Sequence, residues 1–221
     1  MTYRYASTAR PPWRRTWSWG AVVALAVGAW AWTADGDEAD EPPRPSAAQA
    51  KVYESGRIEP AAPAAASLPE SVPVRIKIPV LKVDTALTDL ARTEDGGLEA
   101  PPPDDANLAG WDAAGTLPGS TGTAVIVGHV DTPKGPAVFY GLGSLKKGAK
   151  VKVVREDRRT AEFTVYGVEE YEKDDFPSAK VYAPRVRPEL RLITCGGSYS
   201  KSDGYSGNVV VYAHLTGSSS R

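Results

Sequence analysis

Apolar and polar positions alternate from Val72 to Val80, placing Val74, Ile76 and Ile78 on one face and Arg75 and Lys77 on the other. A period of two is that of a strand with one wet face. Further strand-like runs recur at Thr123–His129, Lys150–Arg155, Glu162–Glu169, Leu190–Cys195 and Asn208–Leu215, with Gly, Pro and Asp turns between them. Helical periodicity is weak, and only short helical pieces are expected near Pro136–Leu145. Many short strands and little helix predict an all-β domain, a closed or nearly closed antiparallel barrel of roughly 150 residues.

The N-terminal third has a different texture. Residues 1–16 carry Arg4, Arg10, Arg14 and Arg15 and no acid, the apolar stretch 17–33 follows, and Asp35, Asp37, Glu38, Asp40 and Glu41 come next. Arginines before and acids after orient such a segment with its N-terminus in the cytoplasm. The uninterrupted apolar core is about a dozen residues against the roughly 20 of a standard span, so a cleaved signal peptide competes, with Ala29-Trp30-Ala31 as a cleavage-like site. Trp17, Trp19, Trp30 and Trp32 bracket both ends as interfacial anchors do, which favours a retained single-pass membrane anchor helix. Residues 34–70 are acidic, then rich in Ala and Pro, and are expected to be a disordered extracytoplasmic linker. The barrel is expected over 71–217, with a disordered tail at 218–221.

Charge and composition narrow the chemistry. The 26 basic and 27 acidic residues leave a net charge of −1, which gives no footprint for nucleic acid. One cysteine excludes an intrachain disulfide, and one cysteine with two histidines cannot build a structural zinc site. Neither a metal nor another cofactor is expected.

Two side chains stand out. Cys195 ends the run Leu190–Cys195 and leads into Gly196-Gly197, which reads as a flexible turn presenting a thiol; the plain alternative is a small core hydrophobe. His129 ends the run Thr123–His129 beside a loop, where a catalytic base sits on a rigid scaffold, or else is a hydrogen-bonded structural histidine. His214, at the end of the last run, reads as a surface or packing residue. At pH 7 an isolated thiol is only about 3% thiolate and an isolated imidazole about one-quarter charged. Proximity, or a cationic neighbour, would raise the thiolate fraction and with it the nucleophile.

The stretches Thr121-Gly-Thr-Ala-Val-Ile-Val-Gly-His-Val-Asp-Thr132 and Leu190-Arg-Leu-Ile-Thr-Cys-Gly-Gly197 together resemble the sortases, cysteine transpeptidases of Gram-positive cell surfaces, most closely those of class E/F and within it class F. Arg75-Ile-Lys-Ile-Pro79, Gly135-Pro-Ala-Val-Phe-Tyr140, Asp175-Phe-Pro177 and Asn208-Val-Val-Val-Tyr-Ala213 extend the likeness. The resemblance implies an eight-stranded barrel, an N-terminal anchor and a His-Cys-Arg site. Cys195 would attack the threonine carbonyl of a Leu-Pro-x-Thr-Gly-like sorting signal on a secreted protein, and His129 would shuttle the proton. Thr194 would border the substrate groove, and an amine of a cell-wall precursor or pilin would resolve the thioacyl enzyme. The family's arginine falls here at Ser206, a neutral hydroxyl that cannot replace a guanidinium. Arg191, on the strand parity of Cys195, and Lys201, in the following loop, are the candidate cationic partners, with Arg185 and Arg187 behind them. The missing arginine keeps open a weakened or non-catalytic peptide-binding module on the same fold. A Cys-His L,D-transpeptidase is a third reading, but the Ser-His-Gly-x-x-Arg-like surroundings expected of its thiol are absent.

Overall fold

A computed structural model describes residues 41–49, 63–93 and 97–220. The expected cytoplasmic segment and membrane anchor lie outside them, and among the described residues no helix is long and apolar enough to cross a membrane.

Among the described residues ten strands follow one another: β1 (Pro73–Ile78), β2 (Val83–Leu90), β3 (Ala109–Asp112), β4 (Gly122–Gly128), β5 (Asp131–Thr132), β6 (Gly135–Pro136), β7 (Lys150–Arg155), β8 (Arg159–Glu172), β9 (Pro188–Ser200) and β10 (Gly204–Ser220). Eight of them close a barrel in the order β1-β2-β3-β4-β9-β10-β8-β7, with β7 returning to β1, while β5 and β6 form a separate small hairpin. The expected antiparallel barrel is corrected in one respect: β2 pairs with β3, and β4 with β9, in parallel. A parallel pair needs a long crossover, and the chain supplies two, residues 91–108 and 129–187.

β1 shows how a register shift overrides alternation. Its pairing with β7 slips between Pro73 and Arg75, so Pro73 is buried and Val74 turns outward, leaving the face that Ile76 and Ile78 share. At the other end, residues 218–220, expected as a tail, extend β10 by pairing with Ala161, Thr160 and Arg159. Two pieces of the expected linker also touch the barrel. Ala65 N–H donates to the carbonyl of Leu215, Leu68 N–H to that of Gly119, and the Arg155 guanidinium to that of Pro69. Upstream, Val168 N–H donates to the carbonyl of Gln49.

The barrel interior is filled by side chains such as Ile76, Ile126, Phe163, Leu192, Val211 and Leu215. A second apolar cluster of Val125, Tyr166, Val181, Ile193, Val210 and Tyr212 lies on the outer face of β4, β8, β9 and β10. It sits beneath the β8–β9 connection, which holds a 3-10 turn (Lys173–Asp175) and a one-turn helix α1 (Ser178–Val181). These strands are covered on both faces, and for that reason their sequences read as continuous apolar runs.

Charge is also buried on this outer face. Glu189 and Arg191, two residues apart on β9 and so on one side of it, are 1% and 0% exposed and pair at 2.7 Å. Arg187 Nε reaches Glu189 at 2.8 Å, the Tyr166 hydroxyl donates to Glu189, and Arg191 Nε donates to the carbonyl of Val181 in α1. The Arg191 guanidinium lies 4.6 Å from the Tyr212 ring centre. Burial alone would raise the Glu189 carboxyl, but Arg191, Tyr166 and Arg187 outweigh it and hold the group below its ordinary range.

Glu189→Gln keeps the shape and strands Arg191 without its counter-charge, and the expected loss is about 3 kcal/mol in urea unfolding of the full chain followed by circular dichroism. Because the native carboxyl is depressed, the advantage of wild type over the variant is complete above the ordinary carboxyl value of about 4.3 and fades as pH falls through the lower native value. Equal midpoints at neutral pH would show that the buried pair contributes nothing.

Candidate active site

The parallel pairing of β4 with β9 runs from Gly122 opposite Pro188 to Val127 opposite Ile193. Two residues beyond this last pair come His129, just past the end of β4, and Cys195, still within β9. Both line one groove of about 690 Å3. Residues Gly97–Pro101 wall it on one side, and Lys173, Phe176, Ser178 and Tyr182, from the β8–β9 connection, on the other.

His129 is held by the carbonyl of Pro101, 2.7 Å from Nε2. A carbonyl oxygen only accepts, so Nε2 carries the hydrogen, and in the neutral ring Nδ1 keeps the lone pair that can take a proton. Cys195 is half-buried. Burial pushes its thiol above the ordinary value, Lys173 pulls it back down, and Asp131 pushes it up. The resting thiol is therefore protonated at neutral pH. Asp131 accepts a hydrogen bond from the Tyr205 hydroxyl, and burial together with that bond raises the Tyr205 phenol.

Gly196 and Gly197 are not a free turn. They continue β9, which runs on to Ser200. A Cβ on Gly196 would lie 2.7 Å from Val209 Cγ2, and Gly197 has φ +81°, at the point where the pairing of β9 with β10 slips. The pair fixes the thiol against β10, and Asn208 stands directly across from Cys195 and lines the groove beside it. Thr194 also lines the groove, 5% exposed, and its hydroxyl has no hydrogen-bond partner among the described residues.

The expected cationic partners are corrected. Arg191 does share the face of Cys195, but it lies four residues back, about 13 Å along the strand, and is buried in its pair with Glu189. Arg187 serves the same carboxylate. Lys201 is exposed in the turn between β9 and β10. Arg185, Arg187, Arg191 and Lys201 all lie off the groove lining. Ser206 accepts a hydrogen bond from Ser198 N–H at 3.1 Å, a backbone contact that a hydroxyl can make without charge. His214 is fully buried, its ring centre 5.7 Å from that of Tyr166, a packing role and not a surface one. Among the described residues no group of three or more His, Cys, Asp or Glu side chains could hold a metal. Sequence reasoning missed Pro101, Asn208 and Lys173, which reach the thiol and the imidazole only through strand pairing and the fold of the crossover.

A barrel that brings a single thiol and an imidazole to the end of one parallel ladder is a framework for cysteine-dependent acyl transfer. The chain belongs to the sortase family, whose sortase domain matches residues 76–216. Among solved structures, sortase A of Listeria monocytogenes aligns with a TM-score of 0.52 at 16% identity, over 69% of this chain and 92% of that one. A sortase A of Actinomyces oris aligns with 0.52 at 18% identity, over 73% and 89%. Sortase A of Corynebacterium diphtheriae aligns with 0.50 at 20% identity, over 67% and 62%. At these identities the likeness is one of fold. No curated protein matches the sequence significantly.

Iodoacetamide labelling of the sole cysteine, followed by intact mass across pH, is expected to show an inflection above the ordinary thiol value of about 8.5. An inflection below neutrality would mean a stable resting thiolate and would contradict the burial argument.

Proposed function

We propose that the protein is a membrane-anchored sortase of the class F type, which cleaves Leu-Pro-x-Thr-Gly-like sorting signals on secreted proteins and transfers them to an amine of the cell envelope. The observation that carries this reading is that Cys195 and His129 line one groove just beyond the end of the parallel β4–β9 ladder. The segment 17–33 serves as the anchor, with the N-terminus in the cytoplasm and the barrel outside.

In the first half-reaction the Cys195 thiolate attacks the threonine carbonyl carbon, a C–S bond forms, and the peptide C–N bond breaks. His129 gives a proton to the departing amine, which would otherwise leave as an anion. In the second, an incoming amine attacks the thioester, His129 takes the amine's proton, and the thiolate departs. A thiol that is mostly protonated at rest means that only a minor fraction of molecules carries the nucleophile, which limits idle hydrolysis.

Full-length protein mixed with a Leu-Pro-x-Thr-Gly peptide and an amine acceptor is expected to yield a thioacyl adduct on Cys195 by mass spectrometry. Cys195→Ala should abolish both adduct and product, and His129→Ala should slow turnover by about 100- to 10,000-fold. Peptide binding without any adduct in wild type would instead identify a binding module.

A further inference from the structure

Acyl transfer at Cys195 generates negative charge twice, on the sulfur before attack and on the carbonyl oxygen during it. In a water-poor groove such charge needs a fixed positive neighbour. Arg187, Arg191, Arg92 and Lys180 are each paired with an acid, respectively Glu189, Glu189, Asp112 and Glu169. One lysine or arginine lines the groove among the described residues, and it is Lys173.

Its position follows from the sheet. Cys195 on β9 stands opposite Asn208 on β10, and Asn208 stands opposite Tyr171 on β8, so the three form a row across neighbouring strands. The next pair in the β10–β8 ladder is Gly207 with Glu172. Lys173 follows Glu172 directly, as the first residue of the 3-10 turn, so it lies just past the end of this ladder and lines the groove together with the thiol. Residue 206, where the sequence resemblance calls for an arginine, directly precedes Gly207, and Lys173 directly follows Glu172, the partner of Gly207 on β8. Lys173 is exposed and has no carboxylate partner among the described residues, so its charge is not spent in the fold.

We infer that Lys173 is the cationic member of the active site, a positive charge delivered from the turn after β8 in place of one on β10, which favours the Cys195 thiolate and the oxyanion of the tetrahedral intermediate. A flexible ammonium provides charge without the bidentate fork of a guanidinium, and Asn208, level with the thiol, offers neutral amide donors beside it. Lys173 is also the one cation that draws the buried thiol downward. The other titratable groups around the sulfur and its groove are His129, Asp131, Tyr205, Tyr182 and, on the facing wall, Glu99.

This inference rests on the sortase reading, and its test separates the two. In full-length protein, Lys173→Met should move the pH inflection of iodoacetamide labelling upward, slowing labelling at neutral pH and leaving it unchanged well above the inflection. It should slow thioacyl formation with the Leu-Pro-x-Thr-Gly peptide by about 100-fold. Lys173→Arg should stay within about tenfold of wild type, and the double variant Lys173→Met/Ser206→Arg should recover acylation by restoring a charge across the ladder. If Lys173→Met matches wild type in both labelling and acylation, the inference is overturned while the sortase reading stands. If labelling shifts as expected but wild type never acylates, the charge assignment holds and the function fails. Slower labelling at every pH, with an unmoved inflection, would show a steric or folding role and overturn the assignment.

Discussion

The buried carboxylate of Glu189 is the interaction on which the site's architecture depends. Its partners come from β9, from β8 and from the segment just before β9, and through Arg191 the network reaches the carbonyl of Val181 in α1. It therefore ties the sheet to the connection that carries Lys173, Phe176, Ser178 and Tyr182, the groove's second wall. Ion pairs removed from water add little net stability over a well-packed apolar cluster, but a single partner left alone is severely penalised. Such a network fixes which residues meet more firmly than it raises the melting point.

The thiol and the imidazole sit on a different kind of constraint. In an antiparallel pair, the C-terminal ends of two strands point in opposite directions; in a parallel pair they emerge side by side. Only the parallel seam lets two residues that each follow an apolar strand arrive together. The same seam exposes them to one wall of residues 97–101 and another of residues 173–182, so a single groove receives both.

Much of this was legible along the chain, and the remainder fails for identifiable reasons. β7 is an alternating run with clear ends, and its expected and observed limits coincide. β2 and β3 escaped notice because β2 mixes polar and apolar residues without strict alternation and β3 has four residues with a glycine among them. β8, β9 and β10 exceed their apolar runs because pairing with one another holds polar residues in strand conformation. Cys195 and His129 drew attention because each ends an apolar run, although β9 itself runs on past Cys195 to Ser200. Arg191 misled because parity gives the face but not the distance, although Glu189 two residues earlier was a visible counter-signal. Lys173 carries no signal of its own: it lies in a charged run, and only the folded groove that it lines with Cys195 sets it apart.

The parallel seam also governs when the site can exist. It joins residues 122–127 to residues 188–193, contacts between segments remote in sequence, and such contacts form late and slowly because a long loop must close first. Before that closure the chain holds an ordinary cysteine and an ordinary histidine far apart, with no groove to admit a peptide. Reactivity is thus withheld during synthesis, and it arises with the same step that completes the barrel.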